Sequence, residues 1–185
     1  MSSIHIGGSR SLSPTPIVGQ VVRAILASGQ AVHVGCALGA DQAVIQAASR
    51  VPARHSFLVV FAAFGPGGAG AWSGSAVQAV SQAKQAGFLV HFLAGGPLAV
   101  PLVGRLMRRS QAALAGCSAS VFFLASPGCP VSLAVAGKAV AAGQPVFAFC
   151  SVCPQAPRGC AGRWVSALFL GFPCWQWSPA QGALF

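Results

Sequence analysis

Two glycine-rich segments each follow a short apolar run: Gly7-Gly8-Ser9-Arg10 comes after Ile4-His5-Ile6, and Gly35-x3-Gly39-x-Asp41 comes after Ala31–Val34. Turns of this kind let backbone amides approach a phosphate, with the Ser9 hydroxyl and Arg10 guanidinium as further anion donors. Each also reads as a tight strand-to-helix connection, with Asp41 as an ordinary helix N-cap. Asp41 is the single acidic residue in a chain of 185, which points to a required role. The expectation is that it holds the second turn, caps its helix and contacts a ribose. Arg105, Arg108 and Arg109 recur at i, i+3 and i+4 and share one helix face, either a solvated basic surface or a phosphate site. His5, His33 and His91 lie within strand-like runs and read as core or sheet-surface residues. Cys150, Cys153, Cys160 and Cys174 supply four thiols for a tetrahedral zinc site, but their spacing is not that of a standard finger. Free thiols beside Trp164, Trp175 and Trp177 are the preferred reading, and no metal is expected.

The elements that must position these residues alternate along the chain. Apolar runs at 4–6, 31–34, 57–64, 88–93, 120–124 and 146–149 are separated by helix-like stretches, most of them ten residues or longer. That alternation predicts right-handed βαβ units around a mostly parallel sheet: an α/β, Rossmann-like three-layer domain over residues 1–150. Its ligand crevice belongs at the carboxyl ends of the strands. Residues 151–185 break the pattern and read as a Cys-, Trp- and Pro-rich tail that packs over the sheet edge.

Composition narrows the class. The chain is 55% hydrophobic, with a mean hydropathy of +0.70. Its longest unbroken apolar run, Phe57–Phe64, is far short of the roughly 20 residues of a membrane span. The net charge of +10 comes from missing acids rather than added bases, since Lys and Arg total only 11. Glu, Asn and Tyr are absent altogether, a pattern suggestive of codon-level bias. The positive field still favours anionic partners. An odd number of cysteines, seven, and no signal-peptide pattern at the start lead to the expectation of free thiols in the cytoplasm.

The strand–GGSR, strand–GCALGADQA and PGCPVSLAVAGKAVAAGQPVFAF segments together resemble the SLOG superfamily, which includes DNA-processing protein A and the LONELY GUY hydrolases. The resemblance spans residues 1 to about 150. It implies a nucleotide-type ligand or single-stranded nucleic acid, with contacts at Gly7, Gly8, Ser9, Arg10, Gly35, Gly39, Asp41, Arg109, Gly128 and Ser132. The hydrolase branch carries an Arg-Lys pair and a PGGxGTxxE motif. Here Ser110 stands in place of the lysine and Val135 in place of the glutamate, so the expectation is binding without catalysis. Hydrolysis of a nucleotide, or a structural role in a larger assembly, are the alternatives. The closing QGALF is similar to the QxxLF peptide that docks on bacterial DNA sliding clamps, and implies a partner contact through Gln181, Leu184 and Phe185. Self-association would strengthen such an attachment.

Overall fold

The computed structural model describes residues 2–51 and 57–180. Six strands alternate with five helices: β1 (Ser3–Gly8), α1 (Pro16–Ala27), β2 (Ala31–Val34), α2 (Ala40–Ser49), β3 (Leu58–Phe61), α3 (Gly74–Gln85), β4 (Leu89–His91), α4 (Leu102–Leu114), β5 (Ala119–Phe123), α5 (Pro130–Ala141) and β6 (Val146–Phe149). Two longer strands follow, β7 (Gly162–Phe169) and β8 (Phe172–Pro179). Proline opens α1 and α5, where its missing N–H costs nothing and its fixed φ suits the first turn.

All eight strands form one sheet in the order β4-β3-β2-β1-β5-β6-β8-β7. The first six are parallel, and β8 and β7 join antiparallel. This is the expected mostly parallel, Rossmann-like α/β architecture. The helices α1, α2 and α3 pack in a row, and α4 packs with α5. The strands covered in this way are mostly apolar, with Ile4, Ile6, Val32, Val34, Leu58, Val60, Val121 and Phe123 buried. A second apolar cluster joins Phe122, Leu133, Val135 and Val146 to Trp164 and Trp177.

Residues 151–180 do more than lie over the sheet edge. Their last two-thirds form a hairpin that extends the sheet, with Ala148 opposite Trp175 and Trp164 opposite Trp177. The prolines and cysteines that obscure the strand pattern are confined to the connection from β6 and to single positions in β8. There, the bulky aromatics make up the packing face.

Candidate functional site

The chain leaves β1 through β2, β3 and β4, then returns to place β5 on the other edge of β1. The connections after β1 and β5 therefore diverge, opening a crevice at the switch point where open α/β sheets bind ligands. A cavity of about 280 Å³ lies there, near the lower end of the roughly 300–1,000 Å³ of small-ligand sites. Its walls bring together Gly7, Gly8, Ser9 and Arg10 from the first turn and Gly35 and Asp41 from the second. Arg109 of α4 and Ser132 of α5 complete them. Gly39 and Gly128 are not on the wall. Gln181, Leu184 and Phe185 lie outside the described residues.

The glycines are required by close approaches within the protein. A Cβ at Gly8 would overlap the Phe123 carbonyl oxygen and stand 2.7 Å from the Ala40 side chain. Gly39, at φ 73°, has the left-handed backbone that glycine adopts readily, and a Cβ there would overlap the Ser9 carbonyl oxygen. A Cβ at Gly35 would occupy the place of the Arg109 guanidinium. The turns also spend amides on each other. The Ser9 N–H donates to the Phe123 carbonyl at 2.9 Å, and the Ala40 N–H to the Ser9 carbonyl at 3.1 Å. An anion in the crevice would meet exposed Arg10, the wall residue Arg109 and the first turn of α5. There, Val131 and Ser132 have no carbonyl one turn back to accept their N–H groups.

Asp41 does not cap α2. The N-cap is Gly39, and Asp41 sits in the first helical turn. Its Oδ2 instead accepts the Ala37 N–H at 2.9 Å, fastening the second turn, and meets Arg109 Nη1 at 2.9 Å. Both side chains are buried. Burial opposes the Arg109 charge, but the adjacent carboxylate outweighs it and holds the guanidinium above its ordinary value. Arg109 Nε has no hydrogen-bond partner among the described residues.

The three arginines of α4 part company. Arg105 is buried and bonds the carbonyls of Ala63 at 2.6 Å, Gly70 at 3.0 Å and Val100 at 3.0 Å, so it ties down loops rather than facing the crevice. Arg108 is exposed, and Arg109 alone reaches the cavity.

Among the wall residues that the sequence did not single out as ligand contacts are His5 and Cys129. His5 is 3% exposed, and its Nδ1 lacks a partner among the described residues. Burial first, then the Arg109 and His33 charges, push it down to about 3, so it is neutral at physiological pH. Cys129 occupies the N-cap of α5, with its Sγ 2.6 Å from Ser9 Oγ. Only its place in the PGCP segment, beside Ser132, hinted at it. Among the described residues no three His, Cys, Asp or Glu converge on a common point. The alternative zinc ligands are instead dispersed, with Cys174 in the main apolar cluster and Cys150 and Cys160 against the second.

Ser110 and Val135 also line the cavity. The two positions where the resemblance would call for a lysine and a glutamate thus face the crevice with a hydroxyl and an apolar side chain. The one wall carboxylate, Asp41, is already paired.

No family model and no curated protein matches the chain. Among solved structures, it is similar in fold to DNA processing protein A from Helicobacter pylori, at 17% identity and a TM-score of 0.61. The match covers 84% of this chain and 68% of that one, whose structure was described for a unique mode of binding single-stranded DNA.

Proposed function

We propose that the crevice between β1 and β5 binds a phosphate-bearing ligand, a nucleotide derivative or single-stranded nucleic acid, without transforming it. The observation that carries this reading is the meeting of Arg10, the first turn of α5 and the inward-facing Arg109 around one cavity at the switch point. The fold it shares with a single-stranded-DNA-binding protein supports the nucleic-acid form of the reading. Val135 at the wall and a sole carboxylate committed to Arg109 favour binding over hydrolysis, which needs a free acid or base.

The test is a titration with nucleoside monophosphates and short single-stranded oligonucleotides at two salt concentrations. Arg10→Ala should weaken binding by about 1–3 kcal/mol, the scale of one charge-assisted contact. A salt dependence that grows with oligonucleotide length identifies nucleic acid, since each phosphate neutralised releases counterions. Unchanged affinity in the Arg10 variant removes the crevice assignment.

The QGALF terminus extends the proposal to a DNA sliding clamp as partner, held by Gln181, Leu184 and Phe185. Docking of a short peptide costs ordering entropy, so micromolar affinity is expected. Equal clamp binding by the full chain and by one lacking residues 181–185 would dismiss the clamp and leave the crevice reading intact.

A further inference from the structure

Cys129 stands apart from the other six thiols by its surroundings. It occupies the N-cap position of a twelve-residue helix, at the positive end of the helix dipole and without a side-chain capping bond, and it lines the crevice. Its sulfur contacts the Ser9 hydroxyl at 2.6 Å and the Ser126 hydroxyl at 3.4 Å. The same Ser9 oxygen accepts the Ala125 N–H at 3.0 Å, so one hydroxyl clasps the first turn to the β5–α5 loop through the thiol. Two polar side chains lining the same cavity are more than nine-tenths buried yet incompletely bonded within the described residues: Arg109 through Nε and His5 through Nδ1. Partial burial raises the Cys129 thiol, but the hydrogen bonds from Ser126, Ser9 and the backbone at 125–126 prevail, and it lies below its ordinary value. Cys36, Cys117, Cys160 and Cys174 are all pushed the other way by burial.

From the thiol, its hydroxyl partners and the buried donors sharing one cavity, we propose that Cys129 is a modification site, a nucleophilic thiol oxidised by hydroperoxides that enter the crevice. The thiolate sulfur attacks one peroxide oxygen; an S–O bond forms as the O–O bond breaks. Sulfur is oxidised to a sulfenic acid, and the peroxide is reduced to hydroxide or alkoxide, which takes a proton from water. No oxygen fits between Sγ and Ser9 Oγ at 2.6 Å, so the added oxygen parts the clasp. The charged and titratable groups around the sulfur are Arg10 and His5 on the β1 side, and Asp41 and Arg109 across the cavity. The site depends on the crevice geometry and not on which ligand the crevice holds.

The full-length reduced protein is treated with hydrogen peroxide in the presence of dimedone, and modified peptides are located by mass spectrometry. In parallel, iodoacetamide alkylation rates are followed from pH 5 to 10 for Cys129 and for the more exposed Cys153. Dimedone should mark Cys129 first, and Cys129 should alkylate at least tenfold faster than Cys153 at pH 6.5. Ser9→Ala should move the Cys129 rate midpoint to higher pH while the fold, followed by circular dichroism, is kept. If Ser9→Ala unfolds the protein, Ser126→Ala serves the same purpose at the exposed side of the sulfur. Equal rates at the two thiols, an unmoved Cys129 midpoint in the folded variant, or dimedone on Cys153 alone, would overturn the proposal. None of these results bears on oligonucleotide affinity, so the crevice reading stands or falls separately.

Discussion

The crevice and the C-terminal hairpin are built on opposite principles. Around the crevice, glycines bring backbone against backbone, a buried charge pair spans two elements, and buried polar atoms are left with hydrogen-bonding capacity to spare. The hairpin is held by bulk. The rings of Trp164 and Trp177 meet edge to face at 5.3 Å, while the Trp164 and Trp175 indoles donate to the carbonyls of Gln155 at 2.9 Å and Cys150 at 3.3 Å. Its one orphan among the described residues, Trp177 Nε1, is uncharged and packed in an apolar cluster. Buried polar groups without partners are costly. Among the described residues two of them lie on one cavity wall, and the hairpin holds one.

The comparison breaks most sharply at Asp41. Replacing it with alanine strands Arg109 in a chain with no other acidic side chain, and should cost about 4 kcal/mol in urea unfolding. Adding Arg109→Met should recover much of that loss, because the uncompensated charge is then gone. If the single variant is as stable as the parent, the pair does not hold the two turns together. Trp177→Ala should cost about 3 kcal/mol through lost packing in the second apolar cluster, yet leave crevice affinity unchanged. A parallel fall in affinity would show that the two regions are one cooperative unit.

A third effect depends on pH. His5 has its folded value depressed to about 3 from 6.5, so above pH 6.5 both folded and unfolded chains carry it neutral. Below 6.5 the unfolded chain binds a proton that the folded chain refuses. Stability therefore falls with pH towards about 3 and levels off beneath it, at a slope of about 1.4 kcal/mol per pH unit for one proton. His5→Gln should flatten the slope between pH 6 and 4 by about that amount, and an unchanged slope would place the uptake elsewhere. The smallest expected effect is none: a zinc chelator should leave the melting midpoint where it was, since the hairpin rests on aromatic packing and not on its cysteines. A drop of several degrees would restore the four-thiol site.

The parallel sheet was legible because buried strands must be apolar on both faces and glycine must punctuate them. Ile4-His5-Ile6, Val32-His33-Val34 and the residues after them announce both element and turn. The hairpin was not, because Pro173, Cys174 and Pro179 interrupt the alternation of β8, and only pairing with β6 and β7 makes those residues a strand. The glycine turns that border the crevice also followed from the sequence, since glycine positions are local matters; the strand order that opens it, with β5 beside β1, is not local.

What each polar side chain does inside the crevice was decided by tertiary structure alone. Asp41 has the composition and place of an N-cap, yet it bonds an arginine 68 residues away. Arg105 and Arg109 share a helix face by spacing, but one meets loop carbonyls and the other a carboxylate. Cys129 becomes a distinct thiol in part because Ser9 arrives from the turn after β1, 120 residues earlier. Periodicity along a chain reports which face of an element is buried. The partner a polar group finds there depends on which distant element is packed against it, and no local pattern carries that information.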